Sequence, residues 1–302
     1  MSTSDDGPGE LQVRRRVDAP LEAPTSHGGL VDVFRNRYLL RLLVRREISA
    51  RYQGSALGVL WSYVNPLSQF AIYYVVIGLL LGLHRGVENF AVHMFCGIII
   101  VHFFSETFNA GTRSIVRNKS LVRKMALPRE MFPVASMLVS AYHVVPQLVI
   151  LLIACVAYGW TPDLVGLAAL GLGLGIIMLL GTALALLFSA ANVFFRDFSS
   201  VVTILTNLVR FGVPMIYPYS MVEERFGSVA PYYLLNPIAD AVLLVQRAFW
   251  VGTTEDPEVT IVEHIPDTLF SYGFLALGVS VVLLGIGQLV FSRLNDKLPE
   301  RL

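Results

Sequence analysis

Charge is what this sequence has least of: only 15% of its 302 residues are Asp, Glu, Lys or Arg, while 55% are hydrophobic. A soluble domain carries roughly 25% charged residues, so the composition excludes an ordinary water-soluble protein. The mean hydropathy of +0.62 agrees. Cysteine is nearly absent as well. The two present, Cys96 and Cys155, lie inside apolar runs without metal-ligand spacing, which excludes a disulfide framework and reads both as small buried side chains. The histidines at 27, 84, 93, 102, 143 and 264 form no close-spaced ligand pair, so no metal site is expected. Also missing are a GxxxxGKS/T phosphate loop, HExxH, GxSxG and paired carboxylates in a soluble setting. The chain is therefore expected to carry out no catalysis and to hold no cofactor. Energy for any transport must come from a partner subunit or an ion gradient. Residues 1–29 contain Asp5, Asp6, Arg14, Arg15 and Arg16 but no apolar core of a signal peptide, and read as a disordered cytoplasmic tail.

What the sequence does have is long apolar runs, at about 57–83, 91–114, 132–158, 164–192, 198–219 and 268–291. Each is near the roughly 20 residues that a helix needs to cross a bilayer. The expected fold is thus all-α and integral to the membrane, one domain over 30–302 with six transmembrane helices. Six spans place both termini on one side, and the basic residues say which. Arg14 to Arg51 contribute nine, Arg113 to Arg129 six, Arg196 one, and Arg293, Lys297 and Arg301 three, whereas the opposite loops hold Arg85, Arg225 and Arg247. Positive residues stay inside, so both ends are expected in the cytoplasm. The last outer loop is acidic, with Glu223, Glu224, Glu255, Asp256, Glu258, Glu263 and Asp267.

Two segments are neither plain spans nor plain loops. Within 30–54, basic and leucine clusters alternate: Leu39, Leu42, Leu43 and Ala50 share a helical face, with Arg37, Arg41 and Arg45 off it. This predicts an amphipathic helix lying in the cytoplasmic interface. Arg46 projects among the leucines, where it must snorkel or meet an anion. In the last outer loop, 220–267, the stretch from Pro231 to Trp250 places Ile238, Val242, Val245 and Phe249 on one face, opposite Asp240 and Arg247. It reads as re-entrant or interfacial.

Four ordered motifs carry a family resemblance. The first runs Arg45-Arg46-Glu47-Ile48-Ser49-Ala50-Arg51-Tyr52-Gln53-Gly54-Ser55-Ala56-Leu57-Gly58-Val59-Leu60-Trp61, then Asn65-Pro66-Leu67. The second is the basic loop from Asn118 to Pro133, ending Pro128-Arg129-Glu130-Met131-Phe132-Pro133. Phe194-Phe195-Arg196-Asp197 with Pro214-Met215-Ile216-Tyr217-Pro218 is the third, and Leu235-Asn236-Pro237 the fourth. Together they resemble the type 2 ATP-binding-cassette permeases, in their polysaccharide-export branch, over about residues 35–300. The resemblance implies a homodimer of six-span subunits joined to two cytoplasmic ATPase subunits that bind ATP and Mg. The implied cargo is a lipid-linked polysaccharide carried across the bacterial cytoplasmic membrane, with no nucleic acid involved.

Candidate site residues follow. Arg46, Arg51 and Tyr52 are expected to receive the diphosphate head of a polyprenyl carrier, because arginine forks suit phosphate oxygens. Arg117, Lys119, Arg123, Lys124, Arg129 and Glu130, in the coupling loop 114–131, form a basic knob that Pro128 and Pro133 separate from the next helix and that is expected to dock the ATPase. Tyr63, Phe70 and Tyr74 lie within about 40° on a helical wheel, an aromatic stripe that either stacks on sugar rings or packs on neighbouring helices. His102, Glu106, Asn109 and Arg113, spaced four, three and four, make a polar stripe along the second span. Ionisable groups there face an interior or one another, and Arg210 in the fifth span is the candidate partner of Glu106. The stripe reads equally as an internal ion pair or as a substrate lining.

Arg outnumbers Lys by 20 to 3, as in high-GC genomes, which suggests an actinobacterial source and a cell-wall galactan as cargo. O-antigen or teichoic acid remain open. Two other readings are a type 2 drug or antibiotic exporter, which lacks the basic stretch ahead of the first span, and a membrane glycosyltransferase. The latter needs acidic metal-binding motifs, and the cytoplasmic loops offer isolated Glu130 and Asp197.

Overall fold

The computed structural model describes residues 29–54, 58–82, 86–124, 127–295 and 298–301, and these are mostly helical with no strand among them. The expected tail lies outside the described residues except for Gly29, which opens a helix. The interface segment is two helices, α1 (Gly29–Arg35) and α2 (Arg37–Tyr52), broken at Asn36. The face that α2 buries is Leu40 and Leu43, packed among Ile115, Met131, Phe132 and Ala135, whereas Leu42 is 55% exposed. The wheel had grouped Leu42 and Ala50 with Leu43. The inward face is rotated from that because α2 leans on the helix Met131–Ala157.

The first span is α3 (Trp61–Tyr73) continued by a π-helical stretch, Tyr74–Leu80. Next come α4 (Phe90–Arg117), the short α5 (Lys119–Lys124), α6 (Met131–Ala157) and α7 (Leu164–Phe194). Asp163 caps α7 by accepting a hydrogen bond from the Gly166 amide at 3.0 Å. The last span is α12 (Leu269–Asn295), followed by α13 (Leu298–Arg301). Enclosure differs sharply between spans: α4 is buried along most of its length and the first span along little of it, so α4 is the central post of the bundle.

The expected fifth span, 198–219, is corrected. Its helix, α8 (Phe198–Val209), has 12 residues, and Gly212, Pro214 and Pro218 turn the rest of the pass into irregular chain. Irregular backbone at membrane depth survives only where protein satisfies its polar groups. Here the side chains of Asn236 and Gln246 donate to the carbonyls of Gly212 at 3.1 Å and Pro214 at 2.8 Å, and the Tyr217 hydroxyl donates to that of Phe211 at 2.9 Å. The chain approaches α4 so closely that a Cβ at Gly97 would lie 2.9 Å from the Met215 Cα.

Asn236 and Gln246 belong to the segment read as re-entrant. After α9 (Tyr219–Phe226) and a 3-10 stretch to Leu235, the chain bends by 100° into α10 (Pro237–Phe249). Asn236 caps α10 by accepting from the Ile238 amide at 3.1 Å, and Pro237 takes the first position, where no amide is needed. Far from presenting a polar face, α10 is buried nearly all round between α4, α7 and α12, and Asp240, expected on its polar side, is fully buried. At the end of the bundle beyond α10 lies α11 (Pro257–His264). Five helices are long and apolar enough to cross a membrane, or six if the bent pair is one span.

Candidate functional site

The structure gathers α1, α2, α5, the 195–197 turn and α13 at one end of the bundle, which is rich in Arg and Lys. From this basic end inward the polar stripe of α4 meets α8 through Arg113 and Asn109, and α2 and α6 through Glu106 and His102. Asn109 donates to Thr206 Oγ1 at 3.0 Å and accepts from Thr203 at 3.2 Å. Arg113 donates to Thr203 Oγ1 at 3.0 Å and to the Ser199 carbonyl at 3.5 Å. The Thr pair thereby fixes α8 against α4. On the other side Gln147 of α6 lies 3.2 Å from His102 Nδ1.

Glu106 is the hub. Its Oε1 accepts from Arg51, at the end of α2, and from His143 Nδ1 of α6 at 3.0 Å. Tyr52 lies 2.8 Å from His143 Nε2. With the phenol donating, Nε2 accepts and the Nδ1–H donates to Glu106, a tautomer assigned from the carboxylate contact; Arg51, also 3.2 Å from Nδ1, then donates to Glu106 and not to the ring. Two adjacent residues of α2 are thus tied to two spans. The expected partner of Glu106, Arg210, is instead beside His102, where it lines a small hollow with Gln69 and Tyr73. The reason is register: α8 climbs antiparallel to α4 and brings Arg210 a turn beyond Glu106, while α2 supplies a nearer cation.

Arg46 and Arg51, expected to face a phosphate, are engaged within the protein: Arg46 donates to Asn118 Oδ1 at 3.1 Å, and Arg51 to Glu106. Beside them Glu47 accepts from Arg117 at 2.6 Å and from Asn118 at 3.0 Å. Between α2, α4, α6 and α8 opens a cleft of about 760 Å³. Its walls carry Arg51, Arg113, Arg117 and Arg196 against two carboxylates, Glu47 and Glu106, with Ser136, Ser140 and Asn192 between them. Four guanidinium groups and two carboxylates leave it cationic. Planar forks in a partly dehydrated recess suit phosphate and carboxylate ligands.

The remaining candidates are dispersed. Phe70 stacks on Tyr74 at 5.7 Å between centroids and meets Phe95 of α4 edge-on at 5.5 Å, while Tyr74 lies 6.4 Å from Phe90. These two rings of the aromatic stripe pack on α4 and do not line the cleft. Tyr63 is half-buried and away from it. In the coupling loop Lys119, Arg123 and Lys124 are exposed along α5. Arg129 and Glu130 are not on that surface. Both are buried, Arg129 bonded to Asn295 and Glu130 accepting from Gln288 Nε2 at 3.2 Å, so they tie the loop to α12. No group of residues able to hold a metal occurs among the described residues.

Sequence reasoning passed over His143, Thr203 and Thr206. His143 had a usable signal, since an ionisable residue inside a span is a site candidate on cost alone. The threonines had none, because they become relevant only once α8 packs on α4.

The described residues form a multi-pass helical bundle with a cationic cleft at one end. Residues 38–249 match the ABC-2 type transporter family, and the chain belongs to it. It is similar to the O-antigen export system permease protein RfbA of Myxococcus xanthus, 27% identical over 89% of this chain and 97% of that one. It is likewise similar to the protein of that name from Klebsiella pneumoniae, 25% identical over 87% of this chain and 94% of that one. The chain is therefore a permease, not an enzyme, and works with a separate ATPase.

Proposed function

We propose that the chain exports a polysaccharide carried on a polyprenyl diphosphate, working as a homodimer with two ATPase subunits that bind ATP and Mg. The basic end faces the bacterial cytoplasm, as the distribution of Arg and Lys favours. The observation that carries the reading is the cationic cleft between α2, α4, α6 and α8, which opens at that end and is large enough for a diphosphate with its first sugars. Arg113 and Arg196 take the phosphates first, because among the described residues neither has a carboxylate partner. Asn109 lines the cleft, and His102 and Arg210 border a separate small hollow further along α4. The glycan is a cell-envelope polymer, with galactan, O-antigen and teichoic acid all compatible with a site that grips the carrier head.

Coupling to the ATPase falls to Lys119, Arg123 and Lys124 on α5, with Arg129 and Glu130 anchoring the loop to α12. Reversing Arg123 and Lys124 to Glu is expected to abolish co-purification of the ATPase while the permease still folds. The substrate part is tested with both subunits in proteoliposomes, following ATP-dependent transfer of a polyprenyl-diphosphate glycan. Arg113→Ala with Arg196→Ala should lower transfer by about tenfold or more, the loss of one to two charge-assisted contacts. Transfer at the wild-type rate would remove the cleft from the pathway.

A further inference from the structure

The pairing of charges in the cleft is uneven. Arg117 is matched by Glu47 at 2.6 Å and Arg51 by Glu106, while Arg113 has the neutral Thr203 and the Ser199 carbonyl. The Glu106 side chain is 9% exposed, yet it is engaged through one oxygen: Arg51 and His143 both reach Oε1, and Oε2 has no hydrogen-bond partner among the described residues. A guanidinium fork is best satisfied at two points, so a one-point pair leaves Arg51 open to a better acceptor. Arg51 is also the accessible partner, with 46% of its side chain exposed at the wall of the cleft.

We propose that Glu106 occupies on Arg51 the seat of one substrate phosphate, and so restricts the cleft to headgroups with two linked phosphates. The inference rests on the phosphate reading of the cleft given above. Any basic recess open to a lipid leaflet faces abundant phospholipids with a single phosphodiester charge. Such a headgroup is satisfied at Arg113 or Arg196 and brings nothing to exchange for the Glu106 contact. A second phosphate reaches Arg51 and replaces the carboxylate with an acceptor offering several oxygens. Glu106 then keeps the Nδ1–H of His143, which in turn stays bonded to Tyr52, so the exchange leaves no bare charge in the span. Glu106 is in this account a specificity-determining residue and an internal competitor.

The test uses the full chain in phosphatidylcholine nanodiscs, titrated calorimetrically with inorganic pyrophosphate and inorganic phosphate at fixed ionic strength. The wild type is expected to favour pyrophosphate by about tenfold or more, and Glu106→Gln to tighten phosphate the more of the two, shrinking the preference to about threefold. Tyr52→Phe removes the hydroxyl that lies on His143 and leaves every charge in place; it should shift the preference in the same direction by a smaller factor. An unchanged preference in Glu106→Gln, or in Tyr52→Phe should the first variant not fold, overturns the competitor role and leaves the phosphate reading standing. A wild type that binds neither probe overturns both.

Discussion

The two ends of this bundle are held together by different physics. Around α10 the contacts are dry: Leu243, Leu244 and Val245 have no exposed surface, and α7 comes so near that a Cβ at Gly173 would lie 3.1 Å from the Ala241 carbonyl oxygen. Around α2 a small apolar contact through Leu40 and Leu43 is joined by charged contacts that border a cleft, with Arg51 on Glu106, Arg117 on Glu47 and Arg46 on the neutral Asn118. Within a bilayer apolar burial gives little drive between helices, so close approach of small residues and interhelical hydrogen bonds do the holding. A dry, close-packed region has one good arrangement, whereas ion pairs beside water can trade partners with a charged ligand. The comparison teaches where movement is cheap, namely at the ion pairs that α2 makes beside the cleft.

The contrast can be broken most forcefully at Gly97, where any side chain meets the backbone of Met215. Gly97→Val should cost about 3 kcal/mol, the upper range for overpacking, and lower the thermal midpoint of the nanodisc-embedded chain at every salt concentration. At the basic end a double-mutant cycle of Arg51→Ala and Glu106→Ala should give a coupling of about 1–2 kcal/mol. Because the cleft admits water, that coupling should shrink as salt is raised, while the Gly97 effect does not. Equal salt dependence of the two would erase the distinction.

The smallest effect lies at the far end, where Arg247 donates to Asp163 at 2.6 Å. This hydrogen bond, aided by the guanidinium charge, holds the Asp163 carboxyl below its ordinary range against a smaller opposing effect of burial. A depressed folded value means that the unfolded chain binds the proton more readily. The stabilisation is therefore complete above the unfolded value of about 3.9 and is lost as pH falls through the folded one. Asp163 is 44% exposed, so solvent screens much of the stabilisation. Thermal midpoints of wild type and Asp163→Asn should differ slightly at neutral pH and converge below about pH 4.

Much of this architecture is legible in the sequence, and the exceptions have physical causes. The helices α4, α6, α7 and α12 follow from unbroken apolar runs, and α10 from Asn236-Pro237 with an apolar periodicity after it. The shortness of α8 does not, because the apolar run continues through Gly212, Pro214 and Pro218 and hydropathy cannot separate helix from irregular chain that its neighbours satisfy. In the site, the spacing of His102, Glu106, Asn109 and Arg113 exposes the stripe, but its partners come from α2, α6 and α8. Burial of Arg129 and Glu130 was equally hidden, since their partners Asn295 and Gln288 stand 166 and 158 residues away. Local pattern reports which face of a helix is polar; it does not report which helix that face will meet.

The most direct measurement of the central claim places the chain in proteoliposomes with its ABC ATPase and follows a fluorescent polyprenyl-diphosphate glycan from the basic side to the other. The account predicts transfer that needs ATP and the ATPase and is blocked by excess pyrophosphate on the basic side. Transfer by the chain alone, or transfer indifferent to the diphosphate, would contradict it.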